Sequence, residues 1–198
     1  MKEMPKIVLA SKSARRREIL EHLGIKFRTL VSDADEDIDT SFSPGKYTEL
    51  LSKRKAEEVT PYVSADELII ASDTVVYAKG EILGKPRDRD DAIRMLELLS
   101  ADTHQVVSGL AVMYSGKIAL SHETTFVTFR ELDASEIEGY VDSGEPYDKA
   151  GGYGIQDSAS VCIEKIDGDY FNVVGLPVFR LFDTLKKEFG LNYFELRG

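Results

Sequence analysis

The sequence is poor in cysteine and in long apolar runs. Its single cysteine, Cys162, has no partner within the chain and excludes an intramolecular disulfide. The opening residues, MKEMPKIVLASKS, hold too short an apolar stretch for a signal peptide, and no later run approaches the roughly 18 apolar residues of a membrane span. These absences predict a cytoplasmic protein in a reducing compartment, with no membrane partner.

Positive charges are outnumbered by negative ones, 25 Lys and Arg against 35 Asp and Glu, which limits the kinds of partner. The formal net charge is -10 at pH 7, so the protein repels nucleic-acid polymers and anionic membranes at long range. Any anionic ligand therefore has to meet a local cationic pocket. The three histidines, His22, His104 and His122, lack the spacing of a metal site, and we assign them structural or surface roles.

Length and composition are ordinary for a globular protein. The 198 residues are 42% hydrophobic and 30% charged, which allows a core without metals or disulfides. Strand-helix units alternate with hairpins, so we predict an α/β fold with a mixed central sheet flanked by helices. Residues 1–198 are expected to form a single domain. The oligomeric state, a homodimer included, stays open.

The apolar patterns and the caps predict the following elements. The predicted strands are residues 7–10, 26–31, 67–78, 104–114, 118–132, 159–166 and 170–174. The predicted helices are residues 14–23, 46–59, 89–99, 134–143 and 177–189. Asp88 is expected to cap the third of these helices, and Asp133 with Glu136 forms a capping-box pattern before the fourth.

The first predicted helix begins with an unusual run of cations. Arg15, Arg16 and Arg17 lie in its first turn, where the positive end of the helix dipole disfavours them. Backbone N–H groups, the hydroxyls of Ser11 and Ser13, and the arginines together suit a phosphate group. The alternative is a solvated basic patch in which Ser13 acts only as the N-cap.

Asp73 interrupts the apolar run of residues 69–76. A carboxylate among such neighbours is costly unless it is used. We interpret it as a metal ligand or general base, and a turn cap or buried salt bridge is the structural alternative. Glu36 could supply a further carboxylate, although the acidic run around it is more typical of a solvated surface loop.

Lys55 and Lys85 are candidates for a cationic cradle. Lys85 follows the Asp73 strand after a short turn, so a hairpin can return it toward that carboxylate. Either lysine alone is typical of a surface charge. Together with Arg15 and Arg16 they would surround a triphosphate, while a divalent cation bound by Asp73 offsets the remaining charge.

The loop of residues 147–157 has the composition of a binding loop. It is long, contains three glycines and carries several side chains able to hydrogen-bond a nucleobase. Gln156 is the best candidate for reading the base because its amide is both donor and acceptor. The alternative is an irregular connection with glycines at positive φ.

Taken together, these segments resemble the Maf family of nucleotide pyrophosphatases over nearly the whole chain. The matching segments, in chain order, are Ser11-Lys12-Ser13-Ala14-Arg15-Arg16, Asp35-Glu36, Lys55-Ala56, Ser72-Asp73-Thr74, Gly84-Lys85-Pro86, Asp148-Lys149-Ala150-Gly151-Gly152-Tyr153, Ile155-Gln156 and Gly175-Leu176-Pro177. The family usually has proline at the position of Ala14 and glycine at that of Asp157. The second departure puts the shape of the loop in question.

The resemblance implies an active-site cleft between two lobes, as in inosine triphosphate pyrophosphatases. It implies magnesium- or manganese-dependent hydrolysis of a nucleoside triphosphate to monophosphate and pyrophosphate, with Asp73 as proton acceptor. Arg15, Thr74 and Gln156 match the positions that sort substrates in the branch acting on dTTP and UTP. The residues implied to bind phosphate or metal are Ser13, Arg16, Glu36, Lys55 and Lys85.

Other functions remain open at this point. Within the family, one branch acts on methylated guanine nucleotides, and cleansing of non-standard nucleotides is a cellular role associated with the family. A nucleotide sensor without catalysis would also need the cationic cradle. It would gain little from Asp73, because a carboxylate that faces phosphates does not help to bind them. A phosphatase forming an aspartyl-phosphate would want an aspartate directly after the first strand, where Ser11-Lys12-Ser13 stands instead.

Overall fold

The computed structural model describes residues 4–34 and 41–197. The strands in these ranges are β1 (Lys6–Ala10), β2 (Phe27–Leu30), β3 (Glu67–Ala78), β4 (Glu81–Leu83), β5 (Thr103–Tyr114), β6 (Lys117–Phe129) and β7 (Ile163–Asp167). The helices are α1 (Ala14–His22), α2 (Pro44–Val59), α3 (Arg89–Leu99), α4 (Ala134–Asp142), α5 (Tyr170–Val174), α6 (Val178–Phe189) and α7 (Tyr193–Leu196). None of the described helices is both long enough and apolar enough to span a bilayer.

All of these strands join one mixed sheet. The strand order is β2-β1-β3-β5-β6-β7, and β4 pairs with β3 beside this path. β1 runs parallel to β2 and β3, whereas the β3–β4, β3–β5, β5–β6 and β6–β7 pairs are antiparallel. Alternate side chains of β3 face opposite sides: Leu68 and Ile70 pack with α1 and α6, and Ile69 and Ala71 pack with α2. The predicted mixed sheet flanked by helices is confirmed.

Strand β3 passes from one hydrophobic core to another. Its first half contributes Ile70 to the cluster around α1 and α6. Its second half contributes Val76 to a cluster with α3 and α4. The polar residues Ser72, Asp73 and Thr74 lie between these halves, so the sheet presents its polar groups at the junction of two cores.

Helix starts follow the predicted caps. The Asp88 side chain accepts a hydrogen bond from the Asp91 amide at 2.8 Å, and α3 begins and ends at the predicted residues. Asp133 and Glu136 form the predicted capping box of α4. These local signals act within one turn of helix, which is why the sequence reveals them.

The predicted strand at residues 170–174 is wrong, because this segment is helix α5. The Asp169 side chain caps the helix by accepting from the Phe171 amide at 2.8 Å. Asn172 is buried and its Nδ2 donates to the Val106 carbonyl at 2.9 Å. This tertiary contact fixes the segment as a helix, whereas its apolar composition alone suits a strand.

The predicted strand at residues 159–166 also starts too early. A 3₁₀ turn covers Ser158–Cys162, and β7 begins at Ile163. The carbonyls of Val161 and Cys162 accept from the Nε and the amide of Arg130 at 3.0 and 2.9 Å. These bonds replace the strand ladder expected there.

Helix α2 lies close against β5 at Gly109. A Cβ atom at that position would lie 2.2 Å from the carbonyl carbon and oxygen of Thr48. Gly109 is also the register partner of Asp73 on β3. The close approach therefore fixes α2, which carries Lys55, over the strand that carries Asp73.

His104 lies in the core next to Tyr153. Its Nε2 is 2.7 Å from the Tyr153 hydroxyl, and the residue is 2% exposed. Burial lowers the pKa of His104 from 6.5 to about 4. The unfolded chain binds this proton near pH 6.5, but the folded chain does so only near pH 4. Stability from this group is therefore present above pH 6.5 and lost as the pH falls to 4.

We expect this group to lower the free energy of unfolding by about 3 kcal/mol as the pH falls through that window. His104→Gln removes the titration, so the variant should lose less stability over the same window, although the substitution itself is destabilising. Denaturant unfolding of both proteins at several pH values measures this difference. The exposed His22→Gln serves as the control and should keep the parent's profile. Identical pH dependence in the parent and the His104 variant would contradict the prediction.

Candidate active site

A cavity of about 560 Å³ opens at the junction of the two cores. Its walls are the start of α1, the polar centre of β3, the turn after β4 and the glycine-rich loop. The predicted site residues that line it are Ser13, Arg15, Arg16, Lys55, Asp73, Thr74, Lys85 and Gln156. Glu36 lies outside the described residues. One cavity therefore gathers side chains that are far apart in the sequence.

The strand topology explains why these segments meet. β1 and β3 are parallel neighbours, and Leu9 pairs with Ile70. The chain that leaves β1 therefore turns into α1 beside Ser72 and Asp73. Loops at the carboxyl ends of parallel strands are a common place for ligand sites.

Arg16 is held by the protein at the floor of the cavity. Its Nε donates to the Gly175 carbonyl at 2.7 Å, and its NH2 donates to Thr74 Oγ1 at 3.2 Å. Its amide donates to Ser13 Oγ at 3.4 Å as part of the N-cap. A guanidinium fixed in this way is pre-organised for an anion.

Arg15 points in a different direction. Its NH1 is 3.5 Å from Asp148 Oδ2, and its NH2 is 3.5 Å from the Asp148 carbonyl. The two neighbouring arginines therefore divide between two walls: Arg16 lies with β3, and Arg15 lies with the glycine-rich loop.

Asp73 forms a close ion pair with Lys55. The Lys55 Nζ is 2.5 Å from Asp73 Oδ1, and each side chain is 12% exposed. The predicted carboxylate is thus present at the cavity, and it has a salt-bridge partner. The salt bridge that is the structural alternative for Asp73 is therefore present, and the metal-ligand or general-base role stays a prediction.

Lys85 reaches the cavity through the predicted hairpin. β3 and β4 pair antiparallel, with Val76 opposite Leu83, and this returns the chain toward Asp73. Lys85 is exposed, and no ion pair joins it to another residue within the described ranges. Its ammonium group is therefore available to an incoming anion.

Thr74 belongs to a buried polar network. Its hydroxyl lies 2.7 Å from Ser108 Oγ, and Ser108 in turn donates to the Asn172 carbonyl at 3.0 Å. The same Thr74 hydroxyl accepts from Arg16. The contacts of Thr74 therefore lie on the side of the cavity that holds Arg16.

The glycine-rich loop forms another wall of the cavity. Gly151 has a φ of 67° and its amide donates to the Gly84 carbonyl at 2.9 Å, which ties the loop to the Lys85 turn. Gln156 is exposed and lines the cavity. Its amide is thus accessible to a ligand.

Two contributors were missed by sequence reasoning. The Gly175 carbonyl accepts from Arg16 and from the hydroxyl of Ser72 at 3.3 Å. Gly175 belongs to a segment that resembles the family, but a main-chain oxygen leaves no residue-type signature, so its role as an acceptor could not be read from the sequence. Lys149 also lines the cavity and is buried. The sequence signal that could have identified Lys149 is its place in the loop between two aspartates, Asp148 and Asp157.

Comparison with known proteins identifies the family. The family described as Maf-like protein matches residues 6–188. The chain is 45% identical over 191 residues to the dTTP/UTP pyrophosphatase of Alkaliphilus metalliredigens, covering 96% of this chain and 99% of that protein. It is 46% identical over 191 residues to the dTTP/UTP pyrophosphatase of Pelotomaculum thermopropionicum, with the same coverage of 96% and 99%.

A solved structure described as the Staphylococcus aureus Ham1 protein superimposes with a TM-score of 0.45 at 14% identity, covering 63% of this chain and 71% of that chain. The dTTP/UTP pyrophosphatase of Bacillus cereus is 44% identical over 184 residues, covering 93% of this chain and 96% of that protein. The match over residues 6–188 and the three dTTP/UTP pyrophosphatases at 44 to 46% identity show that the chain belongs to the Maf-like protein family.

Proposed function

We propose that the protein is a nucleoside triphosphate pyrophosphatase that hydrolyses dTTP and UTP to the nucleoside monophosphate and pyrophosphate. The observation that carries this proposal is the cavity itself. In it the Asp73 carboxylate lies 2.5 Å from Lys55, and the arginines of α1 and Lys85 line the same cavity. Membership of the Maf-like family and relatives named dTTP/UTP pyrophosphatase support the same reaction.

The reaction needs a nucleophile, a proton acceptor and positive charge. Water attacks the α-phosphorus, a new P–O bond forms, and the bond from that phosphorus to the oxygen bridging to the β-phosphate breaks. Asp73 takes the proton of the attacking water, and pyrophosphate leaves with the electron pair of the broken bond. Cations near the phosphates stabilise the charge that develops on the equatorial oxygens and on the leaving group.

The cations of the cavity differ in how firmly they are held. Arg16 is fixed by Gly175 and Thr74, so it provides positive charge with little reorganisation. Lys55 orients the Asp73 carboxylate through their short ion pair. Lys85 is exposed and can approach the terminal phosphates from the turn after β4.

A divalent cation, magnesium or manganese, fits this site as an ion that arrives with the substrate. Among the described residues, no three side chains of His, Cys, Asp or Glu cluster to form a metal cage. Mg²⁺ is often bound by one or two carboxylates together with substrate phosphates, and Asp73 offers one such carboxylate. Asp73 would hold the ion with the phosphates, and we propose Glu36 as the second ligand. The ion would neutralise triphosphate charge in a protein of net charge -10.

Removal of divalent cations is therefore expected to abolish turnover. Excess chelator should stop pyrophosphate release, and added magnesium or manganese should restore it, because the triphosphate otherwise brings several uncompensated negative charges into the cavity. Pyrophosphate release from UTP, with metal content verified, measures the effect. Full turnover in metal-free protein would contradict it.

Base recognition is assigned to the wall that carries Gln156. Uracil and thymine share an acceptor-donor-acceptor edge that a glutamine amide can partly complement. Cytosine presents a donor where uracil has an acceptor, which leaves buried polar groups unpaired. One pocket can therefore accept dTTP and UTP and reject CTP.

A panel of nucleoside triphosphates tests the proposed function. We expect kcat/KM to be highest for dTTP and UTP, with monophosphate and pyrophosphate as products. Gln156→Ala should reduce the ratio of kcat/KM for UTP to that for CTP by about tenfold, because it removes the hydrogen bonds that discriminate between the bases. Preference for methylated guanine nucleotides would reject the pyrimidine assignment. Nucleotide binding without pyrophosphate release would instead indicate a sensor.

The charge of the protein supports a free nucleotide as substrate. A net charge of -10 repels nucleic-acid polymers, whereas a single triphosphate fits within the local cationic cavity. We accordingly propose a cytoplasmic enzyme that acts on the nucleotide pool and does not bind nucleic acid.

A further inference from the structure

We infer that Lys149 is a positioning residue for base selectivity, because its ammonium group joins both ends of the loop that carries Gln156. This inference rests on the proposed function. We call Lys149 and its three partners, Glu145, Asp148 and Asp157, the Lys149 clamp. Nothing in the family resemblance assigns a role to Lys149, and Asp157 stands where the family usually has glycine.

The contacts of the Lys149 ammonium group lie within the loop and the turn before it. Its Nζ lies 2.6 Å from the Glu145 carbonyl, 2.7 Å from Asp148 Oδ1 and 3.2 Å from Asp157 Oδ2. The first two contacts are hydrogen bonds, and the contact with Asp157 is an ion pair. The side chain is 9% exposed, so an unpaired charge here would be costly.

The partners of Lys149 lie on both sides of the loop. Glu145 and Asp148 precede the three loop glycines, and Asp157 directly follows Gln156. The Glu145 carboxylate also accepts from Ser158 Oγ at 2.7 Å, which closes the base of the loop. The clamp therefore fixes the segment from which Gln156 projects.

The clamp also reaches Arg15. Asp148 accepts from Lys149 through Oδ1 and faces Arg15 NH1 through Oδ2 at 3.5 Å. Burial acts to raise the pKa of Asp148, but the hydrogen bond and charge of Lys149, the charge of Arg15 and a backbone hydrogen bond together lower that pKa below its ordinary value. A continuous chain of charges thus links Arg15 to the residue next to Gln156. The family resemblance implied that Arg15 and Gln156 sort substrates.

Gly154 gives independent support for the clamp. A Cβ atom there would lie 2.3 Å from Asp157 Oδ2 and 2.8 Å from Lys149 Cε. The ion pair therefore packs directly over bare backbone inside the loop. Gly154→Ala should separate the pair while leaving both charges in the protein.

The experiment compares kcat and KM for UTP and CTP in the parent protein and in Asp157→Asn, Gly154→Ala and Lys149→Met. We expect the UTP-to-CTP ratio of kcat/KM to fall about tenfold in each, because a loosened loop discriminates less between the two edges. For UTP, kcat/KM should fall mainly through a rise in KM. The double variant Lys149→Met/Asp157→Asn should lose no more than the larger single effect, since both changes break the same pair.

The matched controls are Lys165→Met and Asp167→Asn. These residues form an exposed ion pair at 3.5 Å on β7, away from the cavity, and the ratio should not change. An unchanged ratio in Asp157→Asn and Gly154→Ala would overturn the inference even if Lys149→Met fails to fold. An equal rise in KM for UTP and CTP in Lys149→Met, with a constant ratio, would make Lys149 a phosphate ligand and also overturn it. A parent protein that releases no pyrophosphate from UTP would overturn the proposed function itself.

Discussion

Asp73→Asn is expected to fold like the parent and to lose nearly all turnover. The amide keeps the shape of the side chain and can still accept a hydrogen bond from Lys55, which lies 2.5 Å from Oδ1. It cannot take a proton from water or bind a cation comparably. Loss of a general base typically lowers the rate by about 10² to 10⁴-fold, and loss of a metal ligand adds to this. Pyrophosphate release from UTP at saturating metal measures the effect.

Asp91→Asn provides a matched control for this experiment. Asp91 is 7% exposed, compared with 8% for Asp73, and it pairs with Arg87 and Arg94 outside the cavity. The control should lose stability and keep its turnover. Near-parent turnover in a folded Asp73→Asn protein would exclude Asp73 as the proton acceptor.

Gly109→Ala should strongly destabilise the protein. The added Cβ would lie 2.2 Å from the Thr48 carbonyl and 2.6 Å from the Glu49 amide, which are backbone atoms of α2. Backbone cannot move aside as a flexible side chain can, so the helix has to shift away from the sheet. We expect a loss of about 3 kcal/mol in the free energy of unfolding, measured by denaturant titration. Turnover should also fall, because Lys55 moves with α2.

Gly139→Ala is the control for this substitution. Gly139 is exposed in α4, and no atom lies within 4 Å of a Cβ built there. Alanine in an exposed helix should stabilise the protein by about 0.5 to 1 kcal/mol. Equal free energies of unfolding for Gly109→Ala and Gly139→Ala would contradict the close packing of α2 against Gly109.

Strong local patterns made much of the fold predictable. β3 and α3 occupy the predicted residues 67–78 and 89–99, since a β-branched apolar run and an aspartate cap act over a few neighbouring residues. Residues 170–174 were misassigned because their conformation depends on Asn172, whose amide binds the Val106 carbonyl far away in the sequence. Secondary-structure propensity depends on neighbouring residues, so it does not detect a contact between residues far apart in the sequence.

The candidate site shows a similar division. Residue types revealed a carboxylate and cations, since Asp73 stands out within an apolar strand. The sequence did not reveal how they pair, because the contact of Asp73 with Lys55 depends on where α2 crosses β5. It also could not show that Arg15 and Arg16 diverge, since neighbouring residues of a helix point about 100° apart and their partners lie elsewhere in the chain.

The Gly175 carbonyl has a consequence for how the protein can vary. Arg16 Nε donates to this oxygen at 2.7 Å, and the hydroxyl oxygens of Ser72 and Thr74, both on β3, lie 3.3 and 3.4 Å from it. A point mutation can replace a side chain but cannot replace a main-chain acceptor. A mutation can move this oxygen only by changing the backbone conformation. The φ of 127° at Gly175 is one that other residues adopt only with strain, so substitution of Gly175 is expected to change that conformation. The orientation of Arg16 therefore depends on the backbone conformation at Gly175.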